Sequence, residues 1–147
     1  MTSLSEVKRH CKKKNSEARK ELYFFSSLFS HFFSWIFINL GINANQVTGL
    51  FFIVGLIGSL CFLSTTPLIV LVGYLLWRLH IIFDLCDGEV ATFNNQFSTN
   101  GAYWDFMIHS LLYPMIFINV CIANYLKFGF IEMFYFAAFG SLTLSLM

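Results

Sequence analysis

Asp84 to His109 reads D-L-C-D-G-E-V-A-T-F-N-N-Q-F-S-T-N-G-A-Y-W-D-F-M-I-H. Aspartate and glutamate number eight in the 147 residues, and Asp84, Asp87, Glu89 and Asp105 all fall in this stretch. Long apolar runs flank it on both sides. An acid inside or at the edge of a membrane helix is costly to place and marks a functional site. On a helix, Asp84, Asp87, Gly88 and Ala91 are spaced i, i+3, i+4 and i+7, which is one stripe. Gly88 and Ala91 leave room on that stripe for a bulky group to approach. Gly101, Asp105 and His109 follow at i, i+4 and i+8, a second stripe. The intervening link is short, so the two helices are expected to run antiparallel as neighbours with their stripes facing. Three carboxylates and an imidazole then surround one gap. Clustered carboxylates repel one another unless cations neutralise them, and oxygen-rich clusters suit Mg²⁺ or Mn²⁺. Two such ions form a clamp for phosphoryl chemistry.

These residues resemble the signature of the CDP-alcohol phosphotransferases, integral membrane enzymes whose pattern is D-x2-D-G-x2-A-R-x8-G-x3-D-x3-D. Asp84, Asp87, Gly88, Ala91, Gly101 and Asp105 match it with every spacing kept. Thr92 stands where the family has arginine, and His109 stands where it has a fourth aspartate. The resemblance implies that a CDP-alcohol donor binds with its diphosphate on a metal pair, Mg²⁺ or Mn²⁺. A lipid or small-molecule hydroxyl acceptor attacks, and CMP leaves. It implies metal ligation by Asp84, Asp87, Asp105 and His109, and donor binding at Asp84, Gly88, Ala91 and Gly101. His109 or Asp105 would serve as the base. The family also carries a Pro-Asn-x-x-Thr element at the start of its first span, part of the nucleotide pocket. Here Ala44 replaces the proline while Asn45 and Thr48 match. Read from the residues alone, Asn45 is an N-cap and Thr48 the N3 residue of a helix. Homodimers are usual in the family.

Composition agrees with a membrane setting. The chain is 57% hydrophobic and 12% charged, with 19 phenylalanines, which a soluble core does not require. Seven of the nine basic residues precede residue 21 (Lys8, Arg9, Lys12, Lys13, Lys14, Arg19 and Lys20). A basic end ahead of apolar spans places the N-terminus, and with it the acidic motif, on the cytoplasmic side. The four cysteines have no spacing that suggests zinc or a redox pair, and nothing indicates nucleic-acid binding.

The expected fold is all-α integral membrane. A basic tail, residues 1–21, precedes one transmembrane helical domain, residues 22–147. Residues 22–40 are expected to form an amphipathic helix lying in the interface, with Ser27, Ser30, His31 and Ser34 as its wet stripe. About four spans follow, where the family usually has six. The first runs to Leu63, with Gly55, Gly58 and Ser59 permitting close packing. The second covers about 68–91 and the third about 101–122. A turn at 124–128 leads to a fourth from Phe130. Two rival readings remain open from sequence. One is a catalytically impaired relative acting as a membrane binding or regulatory subunit. The other is a cation channel, against which the acids cluster at one end of the spans.

Overall fold

The computed structural model describes residues 2–12, 24–96 and 99–145. Among these residues the protein is all-α, with no strand and six helices. They are α1 (Leu4–Lys12), α2 (Phe24–Asn39), α3 (Ala44–Cys61), α4 (Pro67–Phe93), α5 (Thr99–Phe128) and α6 (Glu132–Ser145). Three of them, α3, α4 and α5, are long and apolar enough to cross a membrane. The expected fourth span corresponds to α6, whose 14 residues fall short of that length. Lys13, Lys14, Arg19 and Lys20, on which the orientation argument leans, lie outside the described residues.

Helix ends follow from local chemistry. α2 closes with Gly41 at φ +71°, where Ile42 N–H donates to Phe37 O and Gly41 N–H to Ile38 O. That is a paired C-terminal closure in which a left-handed residue costs least as glycine. α4 ends in the same way with Asn95 at φ +52°, and Gln96 N–H donates back to Ala91 O. Thr66 accepts from the N–H groups of Ile69 and Val70, and Pro67 occupies the first helical position, where no N–H is needed. Pro114 lies inside α5 and removes one internal N–H there. α5 also outruns its expected end at 122 and continues to Phe128, so the expected turn at 124–128 is helical. Asn124 turns its amide onto Val120 O, 2.8 Å away within the helix, so it does not break it.

One correction concerns the start of α3. The capping residue is Asn43, not Asn45. Gln46 and Val47 N–H both donate to Asn43 O, and the Gln46 side chain accepts from Asn43 N–H at 3.0 Å. This reciprocal arrangement needs an acceptor three residues after the cap, and Gln46 supplies it. Asn45 therefore sits exposed within the first turn. Thr48 is buried and donates its hydroxyl to Ala44 O at 3.1 Å.

The chain divides into two compact units: Met1–Phe51 with Arg78–Ala102, and Phe52–Trp77 with Tyr103–Met147. In the first, α1 does not behave as a loose tail. It packs on α2, Val7 is fully buried, Trp35 Nε1–H donates to Thr2 O at 2.8 Å, and Thr2 N–H donates to Asn39 Oδ1. Phe83 of α4 lies edge-on to both Phe33 and Phe37 of α2, with ring centroids 5.3 and 5.4 Å away. His80 is fully buried, with Nδ1 2.9 Å from Phe51 O and its ring against that of Phe51.

In the second unit, α3 and α4 meet through glycines. A Cβ added to Gly73 would lie 2.8 Å from Cys61 Cβ and 3.0 Å from Gly58 O, and one on Gly58 would lie 3.2 Å from Trp77 N. Small residues allow this approach, as expected for Gly58. Ser59 is buried beside it, and its carbonyl accepts from buried Asn119 Nδ2 of α5 at 2.8 Å. Because backbone and Cβ atoms cannot swing aside, Gly73→Ala is expected to lower stability by about 1–3 kcal/mol. Thermal unfolding in detergent checks this. Gly88→Ala, where a Cβ meets nothing within 4 Å, is the comparison expected to show no loss of stability.

Candidate functional site

α4 presents two chemically different faces near its C-terminal end. Phe83, Cys86 and Val90 are buried, as is Glu89, whereas Asp84, Asp87 and Ala91 are half-buried and Gly88 is exposed. At about 100° per residue, Cys86 lies roughly half a turn around from Asp84. The stripe Asp84, Asp87, Gly88 and Ala91 is thus the accessible face of this segment. The space next to Gly88 is open, as the sequence reading required.

On α5, Asp105 and His109 are one turn apart and in contact. His109 Nδ1 lies 3.1 Å from Asp105 Oδ1 and 2.9 Å from Asp105 O. The contact to the backbone oxygen is a hydrogen bond, in which Nδ1–H donates to Asp105 O. The imidazole also stacks on Tyr113, with centroids 5.3 Å apart and planes 23° from parallel. Two neighbours on its own helix therefore fix its orientation. Gly101 lies near the start of α5, half-buried.

Each unit contributes side chains of metal-ligand type. On α4, Asp84 and Asp87 lie one turn apart on the accessible face. On α5, Asp105 and His109 supply a carboxylate and an imidazole in contact. Carboxylate oxygens suit Mg²⁺ or Mn²⁺, and an imidazole nitrogen favours Mn²⁺. Asn45 is exposed, and Thr48 is bonded to its own helix.

Thr92 occupies the position of the missing arginine, and its hydroxyl donates to Gly88 O at 2.7 Å. A threonine on a helix commonly satisfies itself in this way. Its one donor is spent on the backbone, so it does not reproduce an arginine's paired donors. Arg78 is exposed on α4.

The polar stripe of α2 is the main departure from the sequence reading. Ser30 and Ser34 are fully buried, while Phe29 and Phe32 on the same helix are about half exposed. Ser30 Oγ–H donates to Glu89 Oε1 at 2.7 Å, and His31 Nδ1 lies 2.8 Å from the same oxygen. The stripe faces protein, not water, because it meets a buried carboxylate on α4. Periodicity located the stripe but not its direction. Glu89 was the missed residue; the signal for it was a fourth acid in a short stretch that no motif position uses. Ser27's side chain lies outside the described ones.

No family model matches the chain. A curated protein of Archaeoglobus fulgidus, a bifunctional IPC transferase and DIPP synthase, is 32% identical over 104 residues, which are 71% of this chain. The chain spans only 20% of that relative's length.

Asp105 and His109, in contact on α5, are donors that one divalent cation can share, and losing either leaves fewer ligands to hold it against water. Asp105→Asn and His109→Ala are each expected to weaken Mn²⁺ binding at least tenfold. Electron paramagnetic resonance titration of free Mn²⁺ against purified protein measures this.

Proposed function

We propose that the chain carries the donor and metal side of a membrane transferase. It would move a phospho-alcohol or phosphatidyl group from a CDP-alcohol to a hydroxyl acceptor and release CMP. The observation that supports this most directly is the Asp105–His109 contact on α5, a carboxylate and an oriented imidazole of metal-ligand type 3.1 Å apart. The spacing of the acidic pattern and the similarity to a transferase point the same way.

A bound Mg²⁺ or Mn²⁺ supplies charge neutralisation at the donor's diphosphate. The chain's own residues do the rest. Asp84 and Asp105 are the holding carboxylates, with Asp87 one turn along the accessible face of α4 as a further one. Exposed Gly88 and neighbouring Ala91 keep that face low, so a nucleotide can lie close to the helix backbone. The acceptor oxygen bonds to the β-phosphorus while the bridging P–O bond to CMP breaks. His109, protonated at Nδ1 toward Asp105, offers Nε2 for the hydroxyl proton or as a ligand; imidazole accepts a proton well near neutral pH. The place that arginine has in the related pattern is left without a cation by Thr92, so cation charge carries more of the neutralisation.

Because the acids line the cytoplasmic end in the orientation that the basic N-terminus favours, a soluble CDP-alcohol reaches them from the cytoplasm. The oligomer is proposed as a homodimer.

The test is CMP release by purified protein in detergent or nanodiscs, with Mn²⁺ or Mg²⁺, across CDP-alcohol donors and lipid or polyol acceptors. Release that depends on metal and on one donor is expected. Asp84→Asn or Asp87→Asn should lower it by about 100-fold or more, the scale of losing a preorganised charge-stabilising group. Undiminished release in Asp84→Asn overturns the assignment.

A further inference from the structure

We propose that Glu89 is a positioning residue: its buried carboxylate latches α2 onto the rear of α4 and holds the rotation at which α4 presents Asp84 and Asp87. Its consequence for catalysis rests on the function proposed above; its consequence for metal binding does not.

The contacts between α2 and α4 fall on one line. Phe33 and Phe37 hold Phe83, Cys86 Sγ–H donates to Ser30 O at 3.3 Å, and Ser30 and His31 converge on Glu89 Oε1 at 2.7 and 2.8 Å. Phe83, Cys86 and Glu89 are successive positions three apart, so α2 follows a single ridge of α4. That ridge lies on the side of the helix away from the aspartate stripe. Whatever turns α4 under α2 therefore turns Asp84 and Asp87 by the same angle.

Apolar contacts alone set that angle loosely. Phenylalanine rings against one another tolerate small slides, whereas a short hydrogen bond from Ser30, with the His31 ring close against the same oxygen, does not. Glu89 is 8% exposed, and a carboxylate is an expensive side chain to bury. An apolar residue of similar volume would fill the position at lower cost. Buried ionic groups kept under such conditions serve best as devices that fix register. Here the donors come from the stripe of α2 that the outward Phe29 and Phe32 leave facing inward. His31 Nδ1 supplies a polar contact to the carboxylate oxygen, and Ser30 supplies the hydrogen bond. Glu89 lies on the buried side of α4, while Asp84 and Asp87 lie on its accessible face, so it acts through helix placement.

The structure includes its own reporter. Cys86 is fully buried beneath Ser30, so lifting or rolling α2 exposes a thiol. The experiment uses the full chain with Cys11, Cys61 and Cys121 replaced by serine or alanine, leaving Cys86. It reads N-ethylmaleimide labelling rate, Mn²⁺ affinity by electron paramagnetic resonance, and CMP release. Glu89→Leu is expected to raise the labelling rate at least tenfold, weaken Mn²⁺ binding several-fold and lower kcat more than it raises KM. Glu89→Gln retains an oxygen that accepts from Ser30 and sits against His31, so it should restore all three readouts to near the parent values. A group contacting substrate through its charge would not be rescued this way. Should Glu89→Leu fail to fold, Ser30→Ala, which removes the hydrogen bond, and His31→Phe, which removes the polar contact, should move the same readouts in the same direction by less.

Labelling and Mn²⁺ affinity both unchanged in Glu89→Leu would overturn the latch. Faster labelling with unchanged Mn²⁺ affinity would overturn the positioning role and leave Glu89 as packing only. Glu89→Gln behaving like Glu89→Leu would also overturn it, since charge and not hydrogen-bond geometry would then be responsible. If the parent protein releases no CMP under any condition, the proposed reaction fails while labelling and Mn²⁺ affinity still decide the latch.

Discussion

A carboxylate carried by an apolar helix must be given a partner, and that constraint organises the functional end of this chain. Isolated, such a group is costly to remove from water. The four acids of the central stretch are accommodated in different ways. Glu89 turns inward and is met by Ser30 and His31 from α2. Asp105 is met by His109 one turn along its own helix. Asp84 and Asp87 stand half-buried on the accessible face of α4. One carboxylate is used for structure, so that the others can be kept available.

The main helices and the acidic stripes were legible in the sequence because their signals are local. Long, predominantly apolar stretches leave little alternative to a helix, and i, i+3, i+4 and i+7 spacing specifies a face whatever surrounds it. The close approach of α3 and α4 was visible in Gly58, since only the absence of a side chain brings two backbones so near. Directions were less legible. The serine and histidine positions of α2 form the stripe that spacing implies, yet whether a polar stripe meets water or a buried acid depends on a partner fifty-eight positions further along, as the His31–Glu89 pair shows. The start of α3 was misread for a different reason. Asn43 and Asn45 are both capable caps, and the choice fell to Gln46, whose side chain reaches back three residues to Asn43 and not to Asn45. The basic N-terminal segment reads as a tail by its charge, although Leu4–Lys12 is amphipathic, and so the burial of Val7 and the bond from Trp35 to Thr2 were missed.

The two departures from the related acidic pattern are of unequal weight. His109, standing where the resembled pattern has aspartate, is held in place by Asp105 and Tyr113. Thr92 is a larger change, because its hydroxyl is bonded to Gly88 O. That bond has an indirect effect. It draws the Thr92 side chain along the helix toward Gly88, the residue whose missing Cβ keeps the accessible face low.

Gly88 and Glu89 are adjacent in sequence and opposite in demand. One must be bare and open, the other buried and bonded, and about 100° of helical rotation separates them. A helix satisfies both only at one rotation, within a few tens of degrees. Rolling α4 so as to expose Glu89 would also turn the Gly88 face toward its neighbours. The latch on α2 and the openness beside Gly88 are therefore two measures of the same angle. Residues of α2 that approach no ligand can still govern the chemistry of α4, because a rigid helix transmits rotation without loss over two turns.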